Sequence, residues 1–569
     1  MEFTSRFARR RWVTALLLGA AALTASARPS AAAAKPPSTP VKKPAAAPAT
    51  GPASAPAAPA ADGLQPPDGK WLTGKDGRQY FVDKLPKAGM RFLRLDKNRV
   101  RTAWGIEIEV VKEDDQFFYY KVFRALRGAA GPSAVPTTTP EDVKKIAASY
   151  EVDTPESQRL TFIPFSKGLP TTGQWRNGFD LADMNGDGHL DIVHSAARKS
   201  PGPPVVFLGD GKGSWRRWSE ARFPNLPYDY GDAAVGDFNG DGHPDIALGV
   251  HLRGLMALTS DGKGGFANAG KGLDFVLPGQ GREAGFSSRT VLVADWNGDG
   301  RPDILAMGEG PRLNLTGRDQ ARPTEKTESY GVIIYLNQGN GTWLRKDQGT
   351  SNREIFSDSI AVGDFNGDHR MDFATGTSIM GRTNLVSYGR GDGSWTAPDI
   401  PQLRPHSYVE AVDAVDLNGD GLDDLVVGYM SFEAETWRSG IDILYAHKDG
   451  TWTRRALAAR EGRAEISAIS HGDVDGDGKV DLVALTGLGE TWVFLNDGKG
   501  FFTREPGTGI TAFPGGCKGY HVRLADFDGD GKAEIVADFA GESSPINDPD
   551  RCPGGGGIQV WHAVPAGQH

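Results

Sequence analysis

From residue 159 onward, short runs of alternating apolar and polar residues recur in a fixed order. A strand with apolar residues at alternate positions, such as Phe179 and Leu181, Val291 and Val293, or Ile360 and Val362, leads into an acidic loop. A second apolar run follows each loop, for example Asp245-Ile246-Ala247-Leu248 or Asp424-Leu425-Val426-Val427. A third run comes next (Gly331 to Leu336, Thr491 to Leu495), then a Gly-rich turn that opens a fourth run with an aromatic near its start, as at Trp215, Trp343, Trp395 and Trp452. Period-two alternation with turn signals between the runs predicts four antiparallel strands per unit and an all-β chain.

The unit repeats seven times, with acidic loops beginning at Asp183, Asp237, Asp295, Asp364, Asp416, Asp473 and Asp526. Self-similarity at a near-constant period decides the architecture before any other signal. Seven four-stranded units fit a seven-bladed β-propeller. After the seventh loop the chain supplies only strands two and three, Ile535 to Asp538 and Ile558 to His562. The missing fourth strand stands before the first loop, at Leu160 to Phe165, so an N-terminal strand is expected to complete the last blade and remove the open edge.

Ahead of the repeats the pattern changes three times. Arg6, Arg9, Arg10 and Arg11, the apolar run Trp12 to Leu23 and the small residues Ala25-Ser26-Ala27 read as a signal peptide over 1–27, exported by the Sec route or, through Arg10-Arg11, the twin-arginine route. Residues 28–66 are an Ala/Pro-rich spacer. Four strand-like runs at 79–82, 91–95, 106–111 and 117–122, the last two joined by a turn at Asp114-Asp115, predict a small all-β module over 67–125. Residues 126–158 form a linker, with a short helix expected from Thr139-Pro140-Glu141-Asp142 to about Tyr150. The repeats then span 159–566.

The formal charge of −9 says little about partners, because the acids gather in loops that a cation would neutralise. No basic nucleic-acid motif is present, and no transmembrane segment is expected once the signal is removed. Cys517 and Cys552 bracket the last repeat; in an exported chain they suggest one disulfide, with two buried thiols as the alternative.

The first acidic loop sets the chemistry. Asp183, Asn185, Asp187 and Asp191 place side-chain oxygens at positions one, three, five and nine, the carbonyl of His189 adds position seven, and Gly186 and Gly188 permit the tight turn. Such an oxygen cage suits Ca2+ better than Mg2+. An EF-hand is excluded, because its glutamate at position twelve is replaced here by His194, Leu248, Ala306, Thr375, Val427, Ala484 and Ala537, all in strand-like runs.

These loops, their spacing and the Gly-x-Gly-x-aromatic turns resemble the FG-GAP/VCBS repeat family, the propeller class that includes integrin α-subunit heads. The resemblance implies up to seven Ca2+ ions. The further ligand sets are Asp237, Asn239, Asp241, His243 and Asp245; Asp295, Asn297, Asp299, Arg301 and Asp303; and Asp364, Asn366, Asp368, Arg370 and Asp372. They continue with Asp416, Asn418, Asp420, Leu422 and Asp424; Asp473, Asp475, Asp477, Lys479 and Asp481; and Asp526, Asp528, Asp530, Lys532 and Glu534, the seventh position acting through its carbonyl in each. His369 replaces the sixth-position glycine of the fourth loop, so the Asp364 site is expected to be weakest or empty.

The resemblance also implies ligand binding on the face opposite the metal loops. Six residues before each loop stand Asn177, Gly231, Arg289, Asp358, Glu410, Ser467 and Tyr520, expected as a polar ring near the channel mouth. Excursions at 308–330, 429–440 and 540–557 would add Arg312, Arg318, Trp437 and Arg438 as a platform, while the four tryptophans pack blades. Arg390-Gly391-Asp392 lies in a repeated turn and reads as a chance match to an adhesion tripeptide. No nucleophile–base pair, zinc cluster or phosphate loop is recognisable. The expected role is therefore non-catalytic binding or adhesion toward a protein or polysaccharide, by a monomeric propeller that is periplasmic, cell-surface or secreted. The alternative is a polysaccharide lyase or hydrolase, with Arg289, His406, Tyr408 and His521 as the residues to inspect.

Overall fold

The computed structural model describes most of residues 70–121 in short stretches and then most of 152–567, with longer gaps at 276–287, 310–329, 347–358, 377–384, 391–394, 404–406 and 542–551. The signal, the spacer, the helix expected near Tyr150, Arg312, Arg318 and most of the 540–557 excursion lie outside the described residues, as does the Gly-Asp of the adhesion tripeptide. All regular structure among the described residues is β-strand.

The N-terminal module is an antiparallel six-stranded sheet of β1 (Lys70–Thr73), β2 (Gln79–Pro86), β3 (Phe92–Arg94), β4 (Arg99–Thr102), β5 (Glu107–Glu113) and β6 (Phe117–Lys121). Its spatial order is β1-β2-β6-β5-β4-β3. Four strands match the expected runs; β1 and β4 are additions, short and rich in lysine and arginine, without a long apolar alternation to announce them. Val100, Val110 and Phe118 are buried.

The repeats form seven four-stranded antiparallel sheets. Blade 1 consists of β8 (Phe179–Ala182), β9 (Asp191–His194), β10 (Val205–Gly209) and β11 (Trp215–Arg217), and the other blades follow the same order. The first strands contact one another in sequence and back to β8, which closes the ring. In blade 7 the fourth strand is β7 (Leu160–Pro164), paired antiparallel with Ile558–Pro565. The expected N-terminal closure is present.

The closure is reinforced upstream of β7. Glu505, buried on the outer strand of blade 6, accepts hydrogen bonds from the backbone N–H groups of Arg159 and Leu160 and from the Ser157 hydroxyl. Three donors at this sheet edge thereby share one buried carboxylate.

Successive first strands are hooked together by side chains. Asp180 accepts from Val235 N at 2.9 Å, Asp232 from Val291 N at 3.0 Å, and Ser359 from Val412 N at 2.9 Å, while Ser467 donates to Gly519 O at 2.7 Å. First strands sit side by side without a regular backbone ladder, so these bonds meet groups that the sheets leave open.

Blade 5 departs from the expected outline. Its last three strands, Asp424–Glu433, Thr436–Ala446 and Trp452–Glu461, run to ten, eleven and ten residues. The 429–440 segment is therefore no loop excursion but two strands that continue past the rim, with Trp437 stacked on Tyr408 at 6.4 Å between ring centroids.

Candidate functional site

Each acidic loop follows its blade's first strand and is shaped chiefly by its first residue. In blade 1, Asp183 Oδ1 accepts from Gly186 N (2.8 Å) and Asp187 N (3.1 Å), and Oδ2 accepts from Gly188 N (2.8 Å). Asp187 Oδ1 in turn accepts from His189 N at 3.0 Å. The same bonds recur around Asp237, Asp364, Asp416 and Asp473, so one backbone shape serves several blades.

Position six requires a left-handed backbone. Gly188 has φ 90° and Gly531 φ 89°, while His369 is held at φ 62° in the fourth loop. Its N–H still reaches Asp364 Oδ2 at 2.9 Å. The loop thus keeps its shape at the cost of a non-glycine residue in a region that L-residues avoid.

The ninth-position acid plays a second part. Asp191, Asp245, Asp303, Asp372, Asp424 and Asp481 are all fully buried at the root of the second strand. One oxygen of each accepts from the backbone N–H at position two, as Met184 N does to Asp191 at 2.9 Å. The other accepts from the third strand, through Gly209, Ser260, Asn337, Gly389, Ala446 and Asn496. Burial pushes the Asp191 carboxyl up to about 7, and Asp187 and Asp183 add to the rise. Burial acts the same way on Asp245 and Asp303, to about 6, on Asp372 and Asp481, to about 7, and on Asp424, to about 8.

Burial is the larger cause, and neighbouring carboxylates add to it in the first and sixth loops. In the sixth loop, oxygens of Asp473, Asp475 and Asp481 lie within 4.8 Å of one another. The donor set is oxygen only and the backbone is fixed in advance; Arg159, 3.5 Å from Asp475, and Lys479, 2.8 Å from Asp477, answer only part of the charge, so the residues fit a hard dication.

Position two wedges between blades. Trp215 meets Phe527 edge-on at 5.0 Å and Trp343 meets Phe238 at 5.2 Å, while Trp452 tilts against Phe365 at 5.8 Å. In each pair the tryptophan opens a fourth strand and the phenylalanine belongs to the preceding blade's loop. The tryptophans are blade-packing residues, as the pattern implies; Trp395 packs on Phe373 of its own blade.

The opposite face is built from the starts of first strands and the connections between second and third strands. Counting six residues back from the loops locates Glu410, Ser467 and Tyr520 on β-bulges, where one residue of the first strand is skipped by the pairing. Gly231 precedes its strand and has no side chain to offer; Asn177, Asp358 and the Arg289 side chain lie outside the described residues. Tyr408 is buried in blade 5 and His521 faces the channel in blade 7, so the described members of the enzyme set stand on different blades; His406 lies outside the described residues.

Of a cation–aromatic array on this face, that count holds only Tyr520. Lys518 Nζ lies 5.0 Å from the Tyr520 ring, the Arg176 guanidinium lies 4.6 Å from Tyr520 and 5.8 Å from Tyr230, and Arg198 lies 5.3 Å from Tyr230. His251 packs on Tyr230 at 4.5 Å, and Glu465 pairs with Lys518. Tyr520 belongs to the counted ring, but the others come from blades 7, 1 and 2 at unequal offsets from their loops, which is why a fixed count misses them. Beside them Cys517 and Cys552 form a disulfide.

The first strands enclose a central cavity of about 350 Å3. On its wall Asp413 holds His471 Nδ1 at 2.8 Å, Asp180 faces Arg523 Nε at 4.0 Å, and Asp232 accepts from the backbone N–H groups of Ala233 and Val291.

Comparison with known proteins agrees with this geometry. The FG-GAP-like repeat model matches residues 183–248, 326–375 and 473–537, and the FG-GAP repeat model matches 231–270 and 408–435. All acidic loops except that at Asp295 fall within these stretches. Integrin alpha pat-2 of Caenorhabditis briggsae is 27% identical over 290 residues, 47% of this chain and 22% of that protein. Integrin alpha pat-2 of Caenorhabditis elegans is 27% identical over 265 residues, 44% of this chain and 17% of that protein. The chain thus spans at most 22% of the length of the curated relatives it matches. Crystal structures of BBS1N in complex with ARL6DN, soaked with lead or with mercury, superpose with TM-scores of 0.39 and 0.40 at 12% identity, covering 72% of this chain and 99% of theirs. The chain is a seven-bladed β-propeller that carries FG-GAP repeats over residues 183–270, 326–375, 408–435 and 473–537.

Proposed function

We propose that this chain is an exported, calcium-stabilised propeller that serves as a non-catalytic binding or adhesion module for a protein or polysaccharide. The acidic loops fasten the blades on one face, and the partner binds the other. The array Lys518–Tyr520–Arg176–Tyr230–Arg198 carries the reading. Tyr230, Tyr520 and Lys518 are buried, so what the array offers is the half-buried guanidinium groups of Arg176 and Arg198 braced on the rings, which suits an anionic sugar chain or an acidic peptide segment. Matches to two integrin alpha chains support an adhesive role, and the signal-like N-terminus and the disulfide support export to the periplasm, the cell surface or the medium.

The test is a glycan and peptide array probed with the full chain, alongside Arg176→Ala and Tyr520→Ala. Retention of an unaltered anionic ligand, weakened at least tenfold by either substitution, is the expected result. Undiminished binding by both variants, or shortened or unsaturated sugar products, would overturn it.

A further inference from the structure

The seventh acidic loop differs from the rest in what faces its ninth position. Continuing the register of the second and third strands by one residue sets Leu208, Thr259, Leu336, Tyr388, Tyr445 and Leu495 opposite the buried acid in blades 1 to 6. In blade 7 the same step sets His562 opposite Glu534. The acid changes together with its neighbour, since Glu534 stands where the other six loops carry aspartate.

Glu534 Oε2 keeps the bond common to every loop, accepting from Phe527 N at 2.7 Å. Its Oε1 faces His562 Nδ1 at 2.6 Å, where the other loops use a third-strand N–H. His562 Nδ1 is also 3.7 Å from Asp528 Oδ2, and Nε2 is 3.8 Å from Asp530 Oδ2. Both ring nitrogens therefore face carboxylates. A neutral imidazole has one N–H, so the lone pair of its other nitrogen points at an acceptor unless a cation lies between them. The ring is held in place: its side chain is only 12% exposed and it stacks on Phe165 at 5.9 Å, beside the strand that closes the propeller. Lys532 Nζ, 3.0 Å from Asp530 Oδ2, answers part of the charge from the rim.

Resting on the reading of the loops as cation sites, we propose that Asp528, Asp530, Glu534 and His562 form a site for a first-row dication of the Zn2+ class, while the other loops take Ca2+. Calcium is bound by oxygen alone, whereas an imidazole beside carboxylates is a usual zinc donor set. Ligand atoms of the four side chains lie within 4.8 Å of one another. Two ligands about 2.0–2.2 Å from one ion are at most about 4.4 Å apart, so the widest pairs must close slightly while the 2.6 Å contact of His562 with Glu534 opens to admit the ion. The ion would join the acidic loop to the third strand at the seam where the ring closes.

The experiment uses the full chain, dialysed against chelator and reloaded with Zn2+ or Ca2+, with bound metal counted after gel filtration. One Zn2+ is expected to persist in millimolar Ca2+, and to be held at least tenfold more weakly in His562→Ala and His562→Gln, with the Ca2+ count of the other loops unchanged. Co2+ loaded in place of Zn2+ should give visible absorption that both variants lose. Far-UV circular dichroism checks that the variants fold, and the glutamine variant preserves bulk if the alanine variant does not. Zn2+ displaced by Ca2+, held equally by both variants, or not bound at all overturns the proposal. If Zn2+ holds but no loop takes Ca2+, the general calcium reading falls and this one stands. If Ca2+ fills the other loops and Zn2+ does not hold, only this one falls.

Discussion

His194 Nε2 lies 3.1 Å from Asp538 Oδ2, with both side chains fully buried where blade 1 meets blade 7. His194 Nδ1 faces the Ser195 carbonyl at 2.8 Å and so donates to it. A proton must therefore also sit between Nε2 and Oδ2, belonging to the pair rather than to either residue. Asp538 Oδ1 accepts from His521 N at 2.6 Å, and burial raises the carboxyl above its ordinary range.

Replacing Asp538 with Asn should be nearly neutral, within about 1 kcal/mol, because the amide can donate to Nε2 and still accept from His521 N. Asp538→Leu should cost about 2–4 kcal/mol, since it orphans a buried imidazole and a backbone N–H. Urea unfolding of both variants checks the contrast, and equal losses would remove the shared proton from the account.

The fourth loop predicts a gain. His369→Gly relieves a left-handed non-glycine residue at φ 62° while leaving the hydrogen bond from position 369 N to Asp364 in place. Stability should rise by about 1 kcal/mol, partly offset by the greater freedom of glycine in the unfolded chain. Gly188→Ala, placed at φ 90°, should lose a similar amount. Thermal unfolding with chelator present reads the backbone effect apart from any metal.

The ninth-position acids predict an inverted pH dependence for the metal-free protein. Their folded values of about 6 to 8 exceed the unfolded value of about 3.9, so the native state holds more protons across that interval. Stability then falls as pH rises from about 4 to 8, opposite to the effect of ion-paired carboxylates. Ca2+ should restore more of the melting temperature at pH 7.5 than at pH 5. A melting temperature of the chelated protein that climbs across this range would contradict the assigned burial.

Much of the fold was legible because the strands alternate with period two and the loops recur with fixed spacing. The closing strand was legible too, since a unit short of one strand at one end matched a spare strand at the other. What escaped reading depends on residues that meet only after the ring closes. His194 and Asp538 are 344 positions apart and share no local pattern. The bulges in the first strands displaced the counted ring, because each skipped residue reverses which face its neighbours present. His562 sits on the neighbouring strand, 28 positions from Glu534, and no feature of the loop motif points to it. The role of the ninth-position acid in binding the third strand was hidden for the same reason: its partners are backbone groups.

The aromatic wedge gives a prediction that separates packing from hydrogen bonding. Trp343 packs edge-on against Phe238 across two blades, and its indole N–H donates to Ala269 O at 2.8 Å. Phe238→Ala should cost about 3–4 kcal/mol, because a buried ring leaves a cavity that rigid sheets on both sides cannot close. Trp343→Phe keeps a ring but loses the donor, and should cost about 1–3 kcal/mol through the unmet carbonyl. If the edge-to-face contact itself stabilises the seam, Phe238→Ala combined with Trp343→Leu, which removes both rings, should cost less than the sum of those two single variants, by about 0.5–1.5 kcal/mol. Strict additivity in urea titrations would assign the wedge to burial alone, and the pairing of Trp215 with Phe527 would then be expected to behave the same way.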